Sequence, residues 1–164
     1  MERREAGVPS LYVWVEHMFL GQYQHNIDSK GRLTVPVRYR EQLVAGGAYI
    51  TQGFDQNLMI LTKHSFEEIY QRVNQLSLTS NMARLLKRLI FSNANQVEVD
   101  KAGRILIPQY LRTGAVLDGD AVIVGVGDYI EIWSPALWKA QIDLLQDAEA
   151  NSQRFEALDL SPGL

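Results

Sequence analysis

Apolar positions along the chain arrive in short runs broken by glycine and proline, and the same order of runs occurs twice. Residues 23–27 and 96–99 read as extended segments, each followed by a tight glycine turn and then a β-branched run. Pro36 and Pro108 then open one or two helical turns, since a fixed φ and a missing N–H suit a first helical position. Two more strands follow in each copy, "AYITQGF" with "LMILT" and "AVIVGV" with "YIEIW". Residues 55–57, and Gly127 with Asp128, supply hairpin turns between them. Thr62 and Ser134 are N-cap candidates for a closing helix in each copy, with Pro135 at the first helical position of the second. In that second helix Trp138, Ile142 and Leu145 recur on one face. After the first copy alone, "SNMARLLKRLIFSN" predicts a further amphipathic helix, and the acidic, weakly periodic tail from Asp147 is expected to be loose.

The two copies share residues as well as pattern. "DSKGRLTVPVRYR" from Asp28 returns as "DKAGRILIPQYLR" from Asp100, 72 positions later. The same offset pairs Gly47 with Gly119, Ile50 with Val122, Gly53 with Gly125, Ile60 with Ile132 and Thr62 with Ser134. A single register without gaps reads as an internal duplication. A four-stranded unit of about 45 residues is too small to bury a sufficient core alone. The expected fold is therefore α+β, mainly β, with both halves closing one pseudo-symmetric barrel-like domain flanked by helices.

Composition narrows the function. At 164 residues and 46% hydrophobic, the chain can build one compact domain or two small fused ones. It has no cysteine, which removes disulfides, thiolate catalysis and cysteine-ligated zinc. No stretch reaches the about 20 apolar residues of a membrane helix, and the apolar run from Leu11 to Val15 is too short for a signal-peptide core. The expected location is the cytoplasm. A net charge of −3 argues against a uniformly basic nucleic-acid binder but leaves room for a local basic patch.

Such a patch is visible. Lys30, Arg32, Arg38 and Arg40 stand against only Asp28 and Glu41 around the first loop, whereas residues 118–131 carry acidic charge alone. Within each loop, Asp28 or Asp100 can accept hydrogen bonds from turn N–H groups or from Arg32 or Arg104, across a glycine (Gly31, Gly103) suited to positive φ. Two uses fit this pattern. The Asp–Arg pairs can simply staple hairpins, at about 0–1 kcal/mol each; or the arginines can fork onto phosphates and guanine edges from a protruding turn.

"MFLGQY" at Met18, the two Asp-x-x-Gly-Arg loops and "YIEIW" together resemble the MraZ family of bacterial transcriptional regulators, over residues 18 to about 143. Each half is similar to an AbrB/SpoVT swapped-hairpin DNA-binding domain. The resemblance implies tandem repeats over residues 18–73 and 94–146 forming one swapped-hairpin, double-psi-like barrel, with a connecting helix at 74–93 and an acidic tail at 147–164. Residues 1–17 precede the usual start of that family and read as a disordered extension or a mis-called start. It implies a ring-shaped homo-oligomer of eight or more subunits, located with the nucleoid. By the same resemblance Arg32 and Arg104 contact DNA with Lys30 and Lys101 assisting, and Arg38, Arg40 and Arg112 belong to the same set. A head-to-tail ring repeats each loop in one sense, which suits tandem direct repeats in double-stranded DNA, here expected in the chain's own promoter within the division and cell-wall gene cluster, with repression as the outcome.

Other readings have less material. His17, His25 and His64 are scattered, without the spacing of a metal or catalytic constellation, so no enzyme, metal, cofactor or small-molecule substrate is expected. An antitoxin-like AbrB-family module would carry one copy and a long tail, and this chain carries two copies and a short one. As a protein-interaction scaffold it would use Tyr129, Trp133 and Trp138, whose positions also suit core packing.

Overall fold

The computed structural model describes residues 18–160, so the expectations for residues 1–17 lie outside it. It divides into two units: one ending at Ser134 and a second beginning at Pro135.

The first unit is built from β1 (Phe19–Asn26), β2 (Arg32–Thr34), α1 (Val37–Ala45), β3 (Ala48–Gln52), β4 (Leu58–Thr62), α2 (Lys63–Asn74), α3 (Asn81–Phe91), β5 (Asn95–Val97), β6 (Arg104–Leu106), α4 (Gln109–Gly114), β7 (Asp120–Gly127) and β8 (Tyr129–Trp133). The two copies thus have the expected order, but they are interleaved. A six-stranded sheet runs β1-β7-β8-β4-β3-β5, and β2 pairs with β6 in a separate ribbon. The first strand of each half therefore pairs with the other half, β1 with β7 and β5 with β3. Every pairing is antiparallel. β1 and β5 are the sheet edges, and no closed barrel is formed by the described residues.

The core explains the interleaving. Leu33 and Ile105 face each other across the ribbon, both about 1% exposed, and pack with Ile27, Val35, Ile107 and Leu111 into the same cluster as Ile50, Leu58, Ile60, Ile130 and Ile132. Burying each such aliphatic side chain stabilises by roughly 1.5–3 kcal/mol. Neither half encloses these residues alone. Tyr39 anchors α1, with its ring edge-on to Phe19 (5.2 Å) and Tyr23 (5.5 Å) and its hydroxyl donating to the Leu20 carbonyl at 2.5 Å. On the other flank Tyr49, Phe66 and Phe91 join β3, α2 and α3 in a chain of ring contacts.

The gapless register requires one correction. The loops, β2 with β6, and β4 with β8 keep the 72-residue offset, as the pairings Leu33–Ile105, Leu58–Ile132 and Ile60–Ile130 require. β3 and β7 do not: Ile50 pairs with Ile60, and Ile123, 73 positions beyond Ile50, pairs with Ile132. The second copy carries one extra residue between Gly119 and Ala121, where Asp120 donates its N–H back to Asp118 O at 3.0 Å. A one-residue insertion would turn the strand inside out. The β1–β7 register shifts by one relative to β5–β3, so that Ile123 fills the place of Ile50 in the core.

Of the expected helix caps, Thr62 is seen at the start of α2. Thr62 accepts from Ser65 N and Ser80 from Ala83 N. Pro36 and Pro108 stand at the cap itself, with extended ψ of 136° and 144°, so each helix begins one residue later than expected. The second unit holds α5 (Pro135–Leu145) and α6 (Ala148–Glu156), neither with a fully buried residue. Residues 148–156 of the segment expected to be loose thus form a helix. Asp147 caps it through Ala150 N, Glu149 and Arg154 sit at the ends that suit their charges, and Asn151 and Arg154 donate to carbonyls at the end of α5.

Candidate nucleic-acid interface

The two Asp-x-x-Gly-Arg loops have the same internal chemistry. Asp28 Oδ1 accepts from the N–H of Lys30 (3.0 Å) and of Arg32 (2.9 Å), while Oδ2 accepts from Arg32 Nε (2.8 Å). Asp100 repeats this with Ala102 N, Arg104 N and Arg104 Nε, each at 2.9 Å. Gly31 and Gly103 turn the chain at φ +82° and +77°, where a side chain would be strained. Both aspartates are held below the usual carboxylate range, first by the backbone N–H of Arg32 or Arg104 and further by the arginine side chain itself. They stay ionised and keep the loops shaped.

The loops lie side by side. Val35 N donates to Gly103 O at 2.8 Å, and Ile107 N to Gly31 O at 2.9 Å, so each loop is hydrogen-bonded to the opposite half's backbone. Arg104 Nη1 reaches Asp28 Oδ2 at 3.9 Å, across the pseudo-two-fold axis. Arg32 and Arg104 spend one edge of the guanidinium on their own aspartate, yet each side chain remains 32% exposed. Lys30 and Lys101 are exposed in the turns of their loops. With two aspartates against these four cations, the paired tips carry net positive charge.

The remaining candidates sit further back. Arg38 is exposed on α1, with Nη1 donating to the Tyr23 hydroxyl at 3.3 Å. Arg40 and Arg112 are half-buried. Arg40 Nε donates to Val35 O at 2.9 Å and its guanidinium lies against Gly103; Arg112 Nε donates to Ile107 O at 3.0 Å and lies against Gly31. All seven expected cations therefore belong to the two loops or to the short helices behind them. The crossing of Arg40 and Arg112 onto the opposite loop was not foreseen, and the signal available was their equal offset from Val35 and Ile107.

These features define a duplicated antiparallel α+β domain that presents a pair of basic, aspartate-shaped loops. The family model described as "MraZ protein, putative antitoxin-like" matches residues 18–89 and again 90–160. The chain is 44% identical over 142 residues to the transcriptional regulator MraZ of Thermomicrobium roseum, covering 86% of this chain and 99% of that one. It is 42% identical over 130 residues to that of Herpetosiphon aurantiacus (79% and 90%) and 48% identical over 122 residues to that of Desulforamulus reducens (74% and 84%). The chain belongs to the MraZ family, a family of transcriptional regulators and not of enzymes.

Proposed function

We propose that this protein is a sequence-specific DNA-binding transcriptional regulator that reads double-stranded DNA with its two Asp-x-x-Gly-Arg loops. The observation that carries the reading is the pairing of the loops at one site, with Arg32 and Arg104 partly exposed and the exposed Lys30 and Lys101 in the same loops. The relatives' names support the regulatory role. Arg32 donates to Asp28 from Nε, and Arg104 to Asp100 from Nε and Nη2, which fixes each guanidinium and leaves its remaining N–H groups for a guanine O6/N7 edge or a phosphate. The lysines add phosphate contacts and salt dependence.

On this reading the interleaved strands are a swapped-hairpin arrangement of the AbrB/SpoVT kind, with repeats at residues 18–73 and 94–146. Subunits assemble head to tail into a ring of eight or more, acting in the cytoplasm at the nucleoid. Among the described residues no helix is long and apolar enough to cross a membrane. A ring presents its loops in one rotational sense, so the operator is a set of tandem direct repeats about one helical turn (~10 bp) apart in the protein's own promoter, where binding represses. Gel shifts on promoter DNA with altered repeat spacing test this. An insertion of about half a turn (~5 bp) between repeats is expected to abolish the high-affinity complex; indifference to that insertion contradicts the direct-repeat reading.

A further inference from the structure

We propose that Arg40 and Arg112 are positioning residues, each reaching across the interleaved halves to clamp the other repeat's loop, so that the two DNA-reading loops are held as one rigid pair. This rests on the DNA-binding reading above and assigns these two arginines a role other than contact with DNA.

The geometry is reciprocal. Arg40 belongs to the first repeat, where its Nε is tied to Val35 O, yet its guanidinium covers Gly103 in the second repeat's loop. Arg112 is tied to Ile107 O in the second repeat and covers Gly31 of the first, where an added Cβ would stand 2.9 Å from its Cζ. The residues that receive each clamp are also those whose carbonyls accept the crossing backbone bonds, Gly103 O from Val35 N and Gly31 O from Ile107 N. Each loop is thus held at its glycine by two groups from the opposite half, one backbone and one side chain. Glycine is needed at that point twice over, for positive φ and for a bare Cα on which a flat guanidinium can lie. Lysine, a point charge without a planar fork, cannot make both contacts.

Direct contact and positioning differ in their salt dependence. A side chain that neutralises one phosphate contributes about −0.9 to the slope of log K against log salt for every subunit engaged, and its removal takes that contribution away. A positioning residue lowers affinity and leaves the slope alone. The experiment compares wild type, Arg40→Gln, Arg40→Lys and Lys30→Gln for binding to a duplex taken from the DNA upstream of the gene, over a salt series. Hydrogen exchange of the same full-length proteins is followed without DNA.

Both Arg40 variants are expected to lose about tenfold or more in affinity with an unchanged slope, whereas Lys30→Gln flattens the slope. Exchange at Gly103, whose N–H donates to Asp100 O, is expected to quicken in both Arg40 variants while Gly31 stays protected. Arg112→Gln is expected to give the mirror result, faster exchange at Gly31 with Gly103 unchanged. Recovery of wild-type affinity by Arg40→Lys, or a flattened slope in Arg40→Gln, overturns the proposal in favour of phosphate contact. Faster exchange confined to the Val35 and Tyr39 region, with Gly103 unchanged, overturns it in favour of a role local to α1. If wild type fails to bind the duplex, the DNA reading fails, and the exchange pattern still decides whether the crossed clamp exists.

Discussion

Asp28 and Asp100 show how a loop can be rigid and still present arginine. Each carboxylate satisfies two backbone N–H groups and one guanidinium edge, and each arginine side chain stays partly exposed. Because their folded-state pKa values are lowered, their contribution is complete above the ordinary aspartate value of 3.8 and is lost only as pH falls through the lower folded value. Carboxyl-carbon chemical shifts followed by NMR should therefore titrate below 3.8 at both positions, and titration at or above that value would show that the N–H bonds are not held in solution. Glu131 behaves oppositely. Burial raises its pKa, opposed by the indole N–H of Trp133 and the amide of Asn57, while Asp55 adds to the rise. The folded state thus favours its protonated form, a preference that is fully present at low pH and lost as pH rises through the raised value. Glu131→Gln keeps an acceptor for both donors without the buried charge, so its melting temperature should exceed wild type at neutral pH and converge with it under acid conditions. A lower Tm at neutral pH would mean that the charge itself is needed.

At the scale of elements, two glycines separate conformational need from tolerance. Gly103 sits at positive φ beneath Arg40, so Gly103→Ala should cost about 1–2 kcal/mol in denaturant unfolding. Gly114 ends α4 at ordinary φ with open space around it, and Gly114→Ala should be neutral or stabilising by about 0.5–1 kcal/mol. Equal effects at the two sites would remove the argument for the loop's backbone. For α6, capped by Asp147 and without a fully buried face, Asp147→Ala should speed hydrogen exchange across residues 148–156 and leave the first unit untouched.

The same contrast explains what was legible in the sequence. The loops were, because an Asx-type acceptor, a positive-φ glycine and an arginine four residues on are local chemistry. Order and type of the strands were also, since short β-branched runs between turn residues leave few options. The pairing of β1 with β7 and of β5 with β3 is non-local, and no run of residues encodes it. The extra residue at Asp120 escaped because Ile50 aligns as plausibly with Val122 as with Ile123, and only the pairing of Ile123 with Ile132 decides between them. α6 escaped because capping and end charges define it where an apolar stripe does not. The crossed arginines escaped because their partners lie on the opposite copy.

For the whole molecule, interleaving means that each half supplies strands the other needs, as two copies of a swapped dimer would. A chain cut to residues 18–89 would leave β1 without β7, and β2 without β6. It should show no cooperative unfolding as a monomer, folding only by pairing with a second copy or with the complementary 90–160 chain; a stable monomeric half would contradict the shared core. Function follows the same logic, since neither half presents a loop without the other's backbone beneath it. The most direct measurement of the central claim is binding of promoter DNA by the Arg32→Ala, Arg104→Ala double variant, with native mass spectrometry on the same sample. The account predicts that specific affinity falls by about 1–3 kcal/mol for each arginine engaged with a base while the oligomer mass is unchanged. Wild-type affinity in that variant, or an assembly that falls apart, would show that the arginines only staple their loops.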